Sequence, residues 1–347
     1  MHRSLLELFF MLKLSHIPYG GIIMTDHGHN LYTKYPLRFG ADGKFKILQV
    51  SDFQETLDFD PRTLEGFTKL LDAEHPDLVI LGGDNCDGHK LKDGAELRRY
   101  LDILVSPMEE RGIPWAHVFG NHDHDLTMDD TEQTKIYESY PHCVSKHTEG
   151  IGGVTNFVLP VMASDSDDIA YAVWGLDTGN HVWDIPGMGK GFWETPKRPY
   201  NADCWGIVTF RQLMWYWSTS VELERLAGRM VHGTMFMHIA PWEFQIAVDN
   251  PDMTGLSGDI DERMSLGGMN SGLFATVLQR GDIRAISCGH SHEDSFAAEV
   301  CGISVSLDAS AGYTPYGKED LRGGRVFVID EGDTSAVTTY MRLYGEL

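Results

Sequence analysis

Five short apolar runs along this chain each end on residues able to bind a cation. FKILQV (45–50) leads into Asp52, LVILGG (78–83) into Asp84, and PWAHVFG (114–120) into Asn121 and His122. GTMFM (233–237) leads into His238, and IRAISCG (283–289) into His290 and His292. Runs of this length, rich in Val, Ile, Leu and Phe, are the pattern of buried strands. Helical patterns separate the first three. Residues 61–74 open on Pro61 and carry Leu64, Phe67, Leu70 and Leu71 at three- and four-residue spacing. Residues 93–111 carry Leu97, Leu101, Leu104 and Met108, with Gly112 as a stop. Strand, helix, strand, helix, strand requires a sheet that is parallel at least in part. Ligands bind at the carboxyl ends of strands in open α/β sheets. A lone Asp or His at a strand end is usually structural, but five in succession mark a common site.

The rest of the chain is less regular. Residues 154–159 and 169–176 have strand patterns, and 210–228 a helical one in which Trp215 and Trp217 are expected in the core. Segments 302–307, 324–330 and 336–343 are expected as strands of a second sheet. Two long loops, at about 179–206 and 250–270, interrupt what is otherwise a single domain over residues 44–347. Loops of that length in a compact domain are usually functional or disordered. Residues 1–43 are expected to be an N-terminal extension. Its apolar run, LLELFFMLKL, is broken by Glu7 and Lys13 and is too short to span a bilayer. It is either a short amphipathic leader or the product of a start codon placed too early, with Met24 as the alternative start.

The charge balance narrows the function. Against 51 acidic residues stand 28 Lys and Arg, a net charge of −23. Such a surface opposes binding of a nucleic-acid polymer, which needs basic stripes, and of an anionic membrane. It does not oppose a small anionic substrate, because bound cations supply local positive charge. The five cysteines are scattered without a C-x-x-C pair, which points to a reducing, cytoplasmic location.

The motifs SDFQ (51–54), GGDNCD (82–87), GNHD (120–123), MHIAP (237–241) and GHSH (289–292) resemble, in order, the blocks of the calcineurin-like metallophosphoesterases. The resemblance spans roughly residues 45–295. It implies an α/β fold in which a two-sheet β-sandwich is flanked by helices, a four-layer αββα arrangement with a two-metal centre at the strand ends. By the same resemblance Asp84 bridges both ions. Asp52, Gln54 and His292 complete one metal position, and Asn121, His238 and His290 the other. His122 is the implied histidine at the leaving group and Asp87 the carboxylate that orients it. Two cations about 3.5–4 Å apart clamp a phosphate, lower the pKa of a water and stabilise the departing oxygen. A mixed N/O donor set without thiolate suits Mn, Fe, Zn or Co.

The implied activity is hydrolysis of a phosphate ester, on a phosphorylated small molecule or a phosphoprotein. A phosphodiesterase acting on nucleotides, cyclic ones included, and a metal-poor non-catalytic scaffold are the alternatives. The first block departs from the family pattern by ending in Gln54 rather than His. That glutamine ligates through its oxygen, leaves the position to water, or marks a partly degenerate site. Asp87 stands where purple acid phosphatases carry their iron-binding Tyr, so no ferric charge-transfer centre is expected. VWGLDTG (173–179) and the Arg211–Trp215 segment resemble a purple-phosphatase-related branch without that Tyr. Cys86 is expected as a buried filler rather than a thiolate ligand, and His124 and Asp125 either as caps of the following turn or as contacts to the substrate or leaving group. His181 and Trp183 are either loop packing or a substrate wall, and Lys190, Lys197 and Arg198 either a phosphate-steering lid or a solvated loop.

Overall fold

The structure is a computed structural model that describes residues 22–24, 30–32, 36–189, 191 and 204–347. Lys190, Lys197 and Arg198 lie outside them. β1 (Ile22–Met24) and β2 (Asn30–Tyr32) form an antiparallel pair. β3 (Leu37–Arg38) begins the main fold, ahead of residue 44, where the folded pattern was expected to start. Its Leu37, with Phe39 just beyond, is buried.

β4 (Lys44–Val50), β5 (Leu78–Gly82) and β6 (Trp115–Val118) run parallel. Three helices cross between them. α1 (Pro61–Glu74) is capped by Asp60 through Arg62 N–H, with Pro61 supplying its fixed φ at the start. The expected single helix over 93–111 is two: α2 (Gly94–Leu104) and α3 (Ser106–Arg111). Pro107 explains the break, because it has no N–H to continue the ladder and crowds the carbonyl four residues back. α4 (Asp130–Glu138) follows, capped by Asp129 on Thr131 N–H and Glu132 N–H.

The second sheet holds eight strands. β7 (Phe157–Met162), β8 (Ile169–Leu176), β9 (Gly233–Met237), β10 (Ser257–Asp259), β11 (Ile283–Cys288), β12 (Ser295–Val300) and β13 (Ile303–Leu307) join β3 in the order β10-β12-β13-β11-β9-β8-β7-β3. Within it β8, β9, β11 and β13 are parallel neighbours. α5 (Phe210–Ala227) and α8 (Leu273–Arg280) cover its outer face, while α6 (Phe244–Asp249) and α7 (Pro251–Thr254) lie between β9 and β10 in the chain. Thus the 250–270 segment holds a helical turn and an edge strand, not loop alone.

β14 (Gly323–Asp330) and β15 (Asp333–Leu343) were expected in the second sheet, but they extend the first, whose order is β15-β14-β4-β5-β6. β14 pairs antiparallel with β4, Arg325 opposite Gln49 and Ile329 opposite Phe45. The reason is burial on two faces: Phe327 and Ile329 face one core, Val326 the other.

Alternation along the strands builds four layers. Phe45, Ile47, Leu78, Ile80, Ala116 and Val118 meet Tyr171, Val173 and Phe236 between the two sheets. Their neighbours Leu48, Val50, Val79 and Leu81 pack outward on Phe67, Leu71, Leu101 and Leu104 of the helices. Trp174, Met235, Met237 and Ile286 pack on Leu213, Tyr216, Phe274 and Val277. Both sheets are covered on both faces, so their strands are continuous apolar runs rather than alternating ones. Trp215 packs partly buried on the core as expected, but Trp217 is 41 % exposed. Among the described residues no helix is long and apolar enough to cross a membrane.

Candidate metal centre

The carboxyl ends of β4, β5, β6, β9 and β11 converge, and the chain turns sharply just past β4, β5 and β11. Asp52, Gln54, Asp84 and His290 all have positive φ, between 41° and 77°. Non-glycine residues are uncommon there, and such strain gathers where the surroundings hold a side chain in a set direction. The flanking glycines are needed for the close approach. A Cβ at Gly120 would lie 2.3 Å from Asp84 Oδ1, and one at Gly289 2.5 Å from Asp52 Oδ2.

Two triads result: Asp84, His238 and His290, and Asp52, Asp84 and His292, with the ligand atoms of each within 4.8 Å of one another. Asp84 belongs to both. His238 Nε2 stands 3.2 Å from Asp84 Oδ2, and His292 Nε2 3.3 Å from Asp52 Oδ1. Donors bound to one ion at about 2.1 Å stand at such spacings from one another. Gln54 Nε2 donates to Asp84 Oδ2 at 2.7 Å, and its side chain is buried in the same cluster. Asn121, also buried, lies between Gly120 and His122, whose backbone N–H donates to Asp84 Oδ1 at 2.7 Å.

Buried polar groups are nearly always satisfied. Yet Asp52 Oδ1, Asn121 Oδ1, His238 Nε2 and His290 Nε2 are all buried without a hydrogen-bond partner. The opposite nitrogens of two rings are held: His238 Nδ1 by Gly82 C=O and His292 Nδ1 by Tyr316 C=O, both at 3.0 Å. Backbone acceptors there fix the tautomer that leaves Nε2 free to ligate. The donor set therefore fits a pair of cations sharing Asp84.

The electrostatics are those of a cation site. Burial pushes the Asp52 and Asp84 carboxyls up, but the charge of His238 and the hydrogen bonds and charges of the neighbouring histidines together outweigh it, and both sit below the usual carboxylate range. Burial lowers His238, yet the charges of Asp84 and Asp52 prevail and hold it up to about 9. His290, depressed by burial and then by the charge of His238, falls to about 3 and is a neutral imidazole.

His122 lies beside the cluster, and one expectation for it needs correction. Asp87 does not orient it: the Asp87 carboxylate accepts from His89 N–H and caps its own turn, Gly88–Lys90. The carboxylate on His122 is Asp125, with Nδ1 to Oδ2 at 3.0 Å. A tight turn over Asp123–Asp125 brings the residue three after the histidine back to it. His124 bridges Asp130 and Asp177. Cys86 is buried, with its thiol pushed up by burial and then by the charge of Asp123.

The family model described as calcineurin-like phosphoesterase matches residues 45–294. The chain belongs to that family. A protein of Arabidopsis thaliana named probable inactive purple acid phosphatase 14 is 28 % identical over 315 residues, covering 81 % of this chain and 74 % of its own. Phosphatase DCR2 of Saccharomyces cerevisiae is 24 % identical, covering 72 % of this chain and 44 % of its own. A dimetal phosphatase from Danio rerio has the same fold, with a TM-score of 0.54 at 14 % identity over 86 % of this chain and 98 % of its own.

Set against the family motifs, the structure gathers Asp52, Gln54, Asp84, His238, His290 and His292 around one point, with Asn121 and His122 at its side. Several residues around them carried no motif. Trp205 packs edge-on against His290 with ring centroids 4.7 Å apart, and His181 stacks between Trp205 and Trp183. Tyr316 stacks on His292 at 4.2 Å. No spacing rule announced Trp205 or Tyr316, whereas Asp125 was visible in GNHDHD.

Proposed function

We propose that the chain, with residues 44–347 as a single domain, is a metal-dependent phosphoesterase. It hydrolyses a phosphate ester of a small molecule or a phosphoprotein. The observation that carries this reading is the pair of buried donor triads sharing Asp84, with four buried polar atoms of the cluster making no hydrogen bond. Asp84 is the bridging ligand, Asp52, Gln54 and His292 complete one position, and Asn121, His238 and His290 the other. Two cations of the Mn, Fe, Zn or Co kind would supply phosphate charge neutralisation and an acidified water there. His122, held through Nδ1, offers Nε2 to the leaving oxygen and donates its proton as the ester bond breaks. Gln54 meets its position through the amide oxygen once the side chain turns its carbonyl inward. The five cysteines, scattered without a C-x-x-C pair and four of them buried, favour a reducing compartment.

A second reading has one specific support: relatives in the same family carry the words "probable inactive" in their names. In that reading the chain is a scaffold that holds metal poorly and hydrolyses nothing. One experiment separates the two. Metal-stripped protein refilled with Mn, Zn, Fe or Co is assayed on p-nitrophenyl phosphate and bis-p-nitrophenyl phosphate, with Asp84→Asn alongside. The phosphoesterase reading expects metal-dependent turnover that Asp84→Asn abolishes, and the preferred ester distinguishes monoesterase from diesterase. Folded protein that takes up no metal and turns over neither ester establishes the scaffold.

A further inference from the structure

We propose that Asn180 and His89 position His122 by clamping Asp125, so that the loop after β8 sets the geometry of the leaving-group histidine. The inference rests on the phosphoesterase reading above. Three segments distant in sequence meet at this one carboxylate. Asp125 Oδ2 accepts from His122 Nδ1 at 3.0 Å and stands 3.1 Å from His89 Nε2. Asp125 Oδ1 accepts from Asn180 Nδ2 at 3.1 Å. The side chain of Asp125 is only 17 % exposed, so protein donors rather than water fix it.

Each clamp is itself held. The turn bearing His89 closes on the His122 turn through Gly88 N–H to His122 C=O at 3.0 Å. A Cβ at Gly88 would lie 2.3 Å from that oxygen, so only glycine lets the two turns meet. Asn180 C=O accepts Gly206 N–H at 2.8 Å, tying its backbone to the far end of the same insertion. Just before it, Asp177 accepts Gly179 N–H at 2.8 Å and anchors the strand end.

A carboxylate with a single donor can rotate about its Cβ–Cγ bond. One with donors on both oxygens from three fixed segments has a single orientation that satisfies all of them. That orientation holds His122 with Nδ1–H toward Asp125 and leaves Nε2 for the leaving oxygen. Productive acid catalysis needs such placement to within a fraction of an ångström. Neither His89 nor Asn180 needs to touch the substrate; both act through Asp125.

A group acting through the general acid matters in proportion to how much the leaving oxygen needs a proton. An alkoxide needs one; p-nitrophenolate departs without it. The test compares wild type, Asn180→Ala, His89→Ala and the double variant, all loaded with Mn, on β-glycerol phosphate and p-nitrophenyl phosphate. In the double variant kcat on the alkyl ester is expected to fall by about tenfold or more, and on the aryl ester by less than about twofold. KM and metal content are expected to stay unchanged, and His89→Asn to retain more alkyl-ester activity than His89→Ala. Equal losses on both esters, or none on either, overturn the proposal. If wild type turns over neither of these monoesters nor bis-p-nitrophenyl phosphate, the phosphoesterase reading fails. The clamp is then judged by 15N spectra of the neutral His122 ring. A single Nδ1–H tautomer in wild type that becomes a mixture in the double variant upholds it, and an unchanged ring refutes it.

Discussion

His124 lies between two carboxylates, and its removal tests whether charge or packing fixes the end of β8. Its Nε2 is 3.1 Å from Asp177 and its Nδ1 2.9 Å from Asp130, with the imidazole only 10 % exposed. Burial pushes the ring down, but the charge of Asp177, with hydrogen bonds to both carboxylates, raises its pKa well above 6.5. Asp177 is fully buried and, against that burial, His124 holds its carboxyl down to about 2. In His124→Gln, Asp177 keeps Val154 N–H, Thr155 N–H and Gly179 N–H as donors but loses its cation. Breaking a buried pair costs about 3–5 kcal/mol, and the remaining donors bring the expected loss near 2–3 kcal/mol. The pH dependence has a definite sign. The folded pKa lies above the unfolded value of about 6.5, so this stabilisation is fully present below that pH and is lost as pH rises toward the folded value. The loss proceeds at up to about 1.4 kcal/mol per unit for one proton. The Asp177 contribution, present above about pH 3.8 and lost as pH falls through about 2, stays constant in this range. Urea denaturation of wild type and His124→Gln at pH 5.5, 6.5, 7.5 and 8.5 measures the difference. A gap that narrows with rising pH above 6.5 is expected; a gap constant across the series refutes the charged role of His124.

The metal centre supports three further predictions. Gly120→Ala places a Cβ 2.3 Å from Asp84 Oδ1, 2.4 Å from Asp84 N and 2.6 Å from His238 Cδ2. Neither backbone nor buried ring can give way, so metal content by plasma mass spectrometry should collapse and stability fall by about 1–3 kcal/mol; a fully loaded variant would contradict the packing argument. Because Asp84 alone is common to both triads, Asp84→Asn should lose both ions, whereas His290→Ala and His292→Ala should each lose one. Equal stoichiometry in all three variants counts against a shared ligand. Finally, His238 is held up to about 9 without metal, so ligation must expel its proton. Calorimetry at pH 7 in two buffers of different ionisation enthalpy should show about one proton released, and affinity should weaken as pH falls; no release at pH 7 would mean His238 does not ligate.

The layers of this fold were legible because burial on both faces leaves an unmistakable mark. FKILQV, LVILGG, PWAHVFG, GTMFM and IRAISCG have too little polarity to be surface strands, and amphipathic helices between the first three force a parallel core. Less was legible where the mark is weaker. β12, SFAAEV, carries an exposed glutamate, Glu299, next to its last residue, and was not recognised as a strand. α2 and α3 merged into one helix because apolar spacing continues through Pro107 while hydrogen bonding does not. β14 and β15 were assigned to the wrong sheet, since apolar alternation states that a strand is buried but not which neighbour it pairs with. That choice belongs to the register of Arg325 against Gln49, a long-range fact with no local signature.

The same division runs through the site. Its donors were legible because backbone geometry fixes them: each follows the last residue of a parallel strand, so the sheet brings Asp52, Asp84, Asn121, His238 and His290 to one edge whatever their side chains prefer. The strained φ values at Asp52, Gln54, Asp84 and His290 are the local departures from propensity expected where function overrides it. The residue that orients His122 was not fixed in that way. Asp87 and Asp125 are both within reach in sequence, and the decision falls to two short turns. One spends the Asp87 carboxylate on His89 N–H, and the other folds Asp125 back three residues onto His122. A motif specifies where a strand must end. It does not specify which of two nearby carboxylates a turn leaves over, and so a sequence match transfers the metal ligands of such a site more safely than the residues that aim its acid.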